Sequence, residues 1–140
     1  MKVLFDTNVI LDYLVQREPF YHDSREVIFL SAEKKLDGII SAGSIADVYY
    51  ICRKECQSTE KPLNLIIDLL KLVTLVDTRA YDVKNALAFN MSDFEDAIIA
   101  ATALRETAEY IITRNIKDFS QSPVPAVTPG DFLRKSMFKS

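Results

Sequence analysis

Lys2-Val3-Leu4-Phe5-Asp6-Thr7-Asn8 is the stretch on which the reading of the fold turns. An apolar run, Val3 to Phe5, is cut off by an acid and two small polar residues. Val9, Ile10, Leu11 and Leu14 then recur at helical spacing. That order of patterns reads as a buried strand, a turn and a helix. It leaves Asp6 at the carboxyl end of the first strand, outside which open α/β sheets place their ligand crevice. Asp6 could equally cap the following helix, with Thr7 or Asn8 sharing the task. The stretch alone does not choose between cap and active site.

Working outward, short strands alternate with helices to the end of the chain. Strands are expected at 39–41, 74–76, 110–113 and 126–127. Helices are expected at 21–36, at 45–56 with Ser44 as N-cap and Asp47 at N3, and at 63–73 behind Pro62, which suits a first turn. A further helix, capped by Asp77-Thr78, should run to Phe89. An Ala-rich one should cover 93–108, and a last one should run from Pro129 to about Met137. Asp118-Phe119 should close a short helical turn. The alternation predicts a three-layer α/β/α sandwich on a short five-stranded parallel sheet, with right-handed crossovers.

Composition narrows the classes. At 140 residues the prior is one domain, 1–140, and 49% hydrophobic residues suffice for a full core. No linker, repeat or low-complexity tract divides the chain. Its apolar runs fall short of a membrane span, and it enters a strand too early for a signal peptide, so cytoplasm is the expected compartment. A net charge of −3 argues against a nonspecific duplex binder. Cys52 and Cys56 lack partners for zinc and read as reduced thiols. The single histidine, His22, reads as surface. In the helix predicted at 63–73 only Asn64, Asp68 and Lys71 are polar, on one stripe. Such a helix is buried on more than one side, at a homodimer interface or in deep intramolecular packing.

The acids carry the chemistry. Asp6 follows strand one, Asp47 lies one turn into the helix after strand two, and Asp77 follows strand three. Asp93 and Asp96 open the Ala-rich helix, on one face. Asn115 follows strand four, with Asp118 one turn on. The bland account of Asp93 and Asp96 is N-capping and helix-dipole complementation. The collective account is a cleft of carboxylates that repel and take up a proton unless a cation neutralises them. Oxygen ligands in such a cleft suit Mg²⁺ or Mn²⁺, and the reaction that most often needs that equipment is phosphodiester hydrolysis. No Gly-rich phosphate loop is present, which sets P-loop nucleotide hydrolysis aside.

Four segments together resemble a PIN domain of the bacterial VapC-like type. They are Phe5-Asp6-Thr7-Asn8-Val9-Ile10-Leu11-Asp12, Ser44-Ile45-Ala46-Asp47-Val48-Tyr49-Tyr50-Ile51, Asp93-Phe94-Glu95-Asp96-Ala97-Ile98-Ile99-Ala100-Ala101 and Ile112-Thr113-Arg114-Asn115-Ile116-Lys117-Asp118-Phe119. The resemblance implies a five-stranded parallel sheet, a metal-dependent ribonuclease, a frequent homodimer and, in many relatives, a small antitoxin partner. It implies Asp6 and Asp96 as Mg²⁺ ligands, with Asp47, where relatives usually carry Glu, holding the metal through a water or a slightly shifted helix, and Asp93 as a further metal candidate. Asn115 stands where some relatives have a fourth acid, a loss that Asp93 or Asp118 would compensate. Thr7 and Asn8 would orient Asp6, and Arg114 would meet a substrate phosphate or else form a surface ion pair. The reaction expected is in-line attack of metal-activated water on RNA, with Asp6, Asp47 and Asp96 catalytic. Two other readings compete: a PIN scaffold that binds RNA or protein without cutting, and a receiver-type phosphoacceptor in which Asp77 and Thr113 would serve.

Overall fold

Val3, Leu4 and Phe5 form the central strand of a five-stranded parallel sheet. The computed structural model of the chain describes residues 1–135. Its elements are β1 (Lys2–Phe5), α1 (Thr7–Leu14), α2 (Tyr21–Ala32), β2 (Asp37–Ser41), α3 (Ala42–Cys56), α4 (Glu60–Leu69), β3 (Thr74–Val76), α5 (Ala80–Ala86), α6 (Phe94–Arg105), β4 (Tyr110–Ile112), a 3-10 turn (Ile116–Phe119), β5 (Ala126–Val127) and α7 (Pro129–Leu133). The strand order is β3-β2-β1-β4-β5. Receiver domains follow the order 2-1-3-4-5, so the topology rules out the phosphoacceptor reading.

Strand alternation distributes the core. Val3, Phe5, Ile40 and Ile112 point to one face, against Val9, Ile10, Val27, Ile28, Val48, Ile66, Leu69 and Phe132 of the helices there. Leu4, Ile39 and Ile111 point to the other, against Ile99, Ala100 and Ala103 of α6. α6 is small on two sides: Ala97 and Ala101 pack against Ala86 of α5, so α6 lies close to both sheet and neighbour helix. Gly38 of β2 keeps the first face tight, because a Cβ there would run into the Phe5 ring and Ser31.

Several boundaries differ from expectation, each for a local reason. α2 stops at Ala32, and Lys34 turns the chain with a positive φ of 59°. Ser41, not Ser44, is the cap residue of α3, because β2 enters that helix without a loop; Ser44 lies inside it, its hydroxyl 2.8 Å from that of Ser41. α4 starts at Glu60, inside what read as a polar loop, and Pro62 sits in its first turn as expected. The N-cap of α5 is Arg79 rather than Asp77-Thr78, with the Asp82 carboxylate accepting from the Arg79 N–H at 2.9 Å. The expected end of the last helix near Met137 lies outside the described residues. No helix among the described residues is long and apolar enough to cross a membrane.

α4 bears on the two readings of its apolar surface. Pro62, Ile66 and Leu69 are buried, while Leu63, Ile67 and Leu70 form an exposed apolar row. Leu69 therefore belongs to the core and Ile67 to the surface. Leu69→Ala should destabilise the chain by about 2–5 kcal/mol, and Ile67→Ala, in dilute protein where each copy stands alone, by no more than about 0.5 kcal/mol. Urea unfolding midpoints of the two variants measure the difference.

Candidate active site

The pairing of β1 with β4 builds the centre of the site. Phe5 stands opposite Ile112, so the next residues, Asp6 and Thr113, emerge side by side at the carboxyl edge. This is the point where strand order reverses, β2 and β3 lying to one side of β1 and β4 and β5 to the other. The Asp6 N–H donates to the Ile112 carbonyl at 2.9 Å. Asp6 is 5% exposed. Its Oδ1 accepts from the Thr7 N–H at 2.8 Å, and its Oδ2 from the Thr113 hydroxyl at 2.8 Å and the Asn8 amide at 3.3 Å. Asn8 in turn accepts from the Arg114 N–H at 3.2 Å, and Thr113 Oγ1 from the Asn115 N–H at 3.0 Å. Asp6 is thus the N-cap of α1 and a cleft residue at once.

Burial pushes the Asp6 carboxyl above its ordinary value; the hydrogen bonds from Thr113 and Thr7 pull the other way, and the charges of Asp118 and Asp93 push up again. Asp96 lies in the first turn of α6, where Asp93 caps the helix by accepting the Asp96 N–H at 3.0 Å. Its carboxyl is pushed up to about 7, first by burial, then by the negative charges of Asp6, Asp93, Asp118 and Glu95. A group that resists ionising this strongly, with carboxylates among the causes, sits in a field that favours a cation.

The cleft measures about 610 Å³. Asp6, Asp47, Glu95 and Asp96 supply its carboxylates, with Thr7, Asn8, Ser41, Ser44, Thr78 and Asn115 adding neutral polar groups. Asp93 and Asp118 do not line it. Asp93 is occupied as a cap, and Asp118, exposed in the 3-10 turn, acts on Asp6 and Asp96 through its charge.

Arg114 is turned away from the cleft. Its Nε and Nη2 donate to the two oxygens of Asp12 at 2.6 and 3.2 Å, and its guanidinium lies 4.1 Å from the centre of the Phe20 ring. Asp12 is fully buried. The structure has the ion-pair alternative of the two readings of Arg114, and that pair is partly buried rather than superficial.

The donor set decides whether the cleft suits a divalent cation. Among the described residues no three His, Cys, Asp or Glu side chains converge as a ready-made metal cage. Mg²⁺ does not ask for one. It keeps several waters and is held through one or two carboxylates, with oxygen donors throughout. Asp6 and Asp96, proton-hungry in an oxygen-lined cleft, fit that mode.

Sequence reasoning passed over Thr113 as the partner of Asp6, Glu95 as a cleft acid, Asp12 as the holder of Arg114, and Arg17 as a lining residue. Thr113 had a legible signal. It is the first polar residue after an apolar strand, as Asp6 is, but only the β1–β4 register makes the two neighbours.

Residues 2–117 match the PIN domain. Ribonuclease VapC1 of Aquifex aeolicus (strain VF5) is 25% identical over 139 residues, spanning 96% of this chain and 94% of that protein. VapBC2 from Rickettsia felis, solved bound to a DNA fragment from their promoter, superposes with a TM-score of 0.72 at 20% identity, over 91% of this chain and 98% of that one. A toxin–antitoxin complex from Klebsiella pneumoniae gives a TM-score of 0.69 at 24% identity, over 91% and 97%. At these identities the solved structures speak to the fold.

Asp96 gives the site a pH signature. Its folded-state value of about 7 lies above the ordinary 3.8, so between those values the folded chain holds a proton that the unfolded chain has lost. In metal-free buffer its contribution is intact at acid pH and is lost as pH rises toward 7. The melting temperature of Asp96→Asn should therefore climb relative to wild type from about pH 4 to about pH 8. Parallel curves in differential scanning calorimetry would show that Asp96 feels no such field.

Proposed function

The chain belongs to the PIN domain family, and from that premise we propose that it is a Mg²⁺- or Mn²⁺-dependent endoribonuclease, the toxin of a toxin–antitoxin pair acting in the cytoplasm. The observation that carries the reading is the pair Asp6 and Asp96, both raised toward the protonated form in one cleft at the reversal point of the sheet. The curated relative, named a ribonuclease, supports it. The neighbouring toxin–antitoxin complex supports a small protein partner.

Asp6 and Asp96 would hold the cation, with Asp47 reaching it through water. When bound, the ion supplies positive charge to a phosphoryl transition state and acidifies water. The chain's own groups do the rest. A carboxylate offers about four lone-pair positions. Thr7, Thr113 and Asn8 occupy three on Asp6, which fixes its orientation and leaves one free. Asp96 is the less committed partner, its carboxylate accepting no hydrogen bond from the described residues. Asp47 or Glu95, exposed on the cleft wall, would take the proton of the attacking water. Thr113, which donates to Asp6 and accepts from the Asn115 N–H, is a positioning residue.

The second reading, a PIN scaffold that binds without cutting, draws on Asn115. It puts an uncharged amide on the cleft wall. Incubating total RNA with wild type and with Asp6→Asn separates the two. We expect divalent-dependent cutting by wild type and a loss of roughly a hundredfold or more in the variant. Mn²⁺ should also raise the melting temperature of wild type but not of Asp96→Asn. Equal cutting by wild type and Asp6→Asn would remove the carboxylates from the chemistry, and no cutting by either would leave the scaffold.

A homodimer is the natural cover for the exposed row Leu63, Ile67 and Leu70 on α4. Ile67→Lys should halve the mass seen in light scattering without altering the circular dichroism spectrum. An unchanged mass would move the interface elsewhere.

A further inference from the structure

Arg17 is the only lysine or arginine among the described residues that line the acidic cleft. We propose that Arg17 is a subsite for a backbone phosphate of the substrate RNA, away from the bond that is cut, and that Glu55 holds this cation ready until the phosphate displaces it. The proposal deepens the nuclease reading above and rests on it.

An RNA strand entering a cleft walled by Asp6, Asp47, Glu95 and Asp96 meets charge of its own sign. The chain carries a net charge of −3, so its overall charge does not draw a polyanion in. Affinity for a polyanion comes from the cations that reach its phosphates. A guanidinium is the side chain suited to that contact, with planar, paired donors.

Two arginines approach Asp12, and they differ in what they can give up. Arg114 makes both hydrogen bonds to that wholly buried carboxylate. Removing it would strand a buried charge. Arg17 stands 3.8 Å from Asp12, which Arg114 already satisfies, and it hydrogen-bonds Glu55. The side chains of Arg17 and Glu55 are 30% and 40% exposed. Exposed pairs of this kind are weak and screened by salt, so exchanging Glu55 for a phosphate costs little. The phosphate contact that the sequence suggested for Arg114 therefore falls to Arg17.

Its place along the cleft says which phosphate. Ser44, Asp47, Ile51 and Glu55 succeed one another on one face of α3. The first three line the cleft, and Glu55 continues the row to Arg17. Ser44 to Glu55 spans about 16 Å of helix, and Asp6 to Asp12 about 9 Å along α1. These spans set Arg17 toward the Glu55 end of the cleft, away from the end where Asp6 caps α1. It would grip the strand at a flanking nucleotide and make cutting depend on substrate length.

The test measures binding of a fluorescein-labelled, mixed-sequence single-stranded RNA to the whole chain carrying Asp96→Asn, by anisotropy over a salt series. Adding Arg17→Ala should weaken binding severalfold and reduce the slope of log K against log salt by about 0.7. Adding Glu55→Gln should tighten binding, and that gain should vanish once Arg17→Ala is also present. Glu55→Gln reads the same contact if the alanine variant fails to fold. An unchanged salt slope in Arg17→Ala, or a Glu55→Gln gain that survives without Arg17, overturns the subsite and leaves the nuclease reading standing. A chain that neither binds this RNA nor, as wild type, cuts total RNA sinks both.

Discussion

Two carboxylates that repel each other are held in one cleft, and much of the architecture serves to keep them there. Asp6 is fixed by the β1–β4 pairing and Asp96 by the first turn of α6. Both sit at helix amino ends, Asp6 as the cap of α1 and Asp96 three residues after the cap of α6. The partial positive charge there offsets part of the repulsion. The remainder stays as raised proton affinity at both groups, burial being the larger cause in each. A site held in this way favours the uptake of positive charge, a proton first of all.

Holding Asp96 in place is a task for the far end of α6 as well. Arg105 donates to both oxygens of the buried Asp82 on α5, at 2.8 and 2.9 Å, and to the Asp77 carbonyl at 2.7 Å. Burial alone would raise the Asp82 carboxyl, but the hydrogen bonds from Arg105 and the Arg79 N–H hold it below the ordinary range. This strut ties α6 to α5, while the alanines between them let α6 lie close to the sheet. The two buried acids Asp6 and Asp82 thus have opposite fates. Asp82 has a guanidinium and is closed to further chemistry. Asp6 has only neutral donors and stays open to a cation.

The same contrast sorts the arginines. Arg114 is bound to a buried carboxylate and stacked on Phe20, a structural post beside the site. Arg17 is bound chiefly to an exposed carboxylate at the cleft's edge. Neighbouring guanidiniums share Asp12, yet burial of the partner decides which is free to meet a substrate.

The sequence by itself determined a good deal. Apolar runs ending in polar residues located all five strands, and the alternation with helices made the sheet parallel. Position at strand ends and helix starts marked Asp6, Asp47, Asp77, Asp93, Asp96 and Asp118 as candidates, and the resemblance to a PIN domain singled out Asp6, Asp47 and Asp96. These are local signals, because strand burial, helix phase and capping are read within a few residues. Tertiary structure decided what depends on neighbours distant in the chain. The register of β1 against β4 made Thr113 the partner of Asp6 across more than a hundred residues. The packing of α1 against its surroundings gave Arg114 to Asp12 and left Arg17 in the cleft. No pattern in the sequence separates those two arginines, since charge and spacing are local, whereas the burial of a partner is a property of the assembled fold.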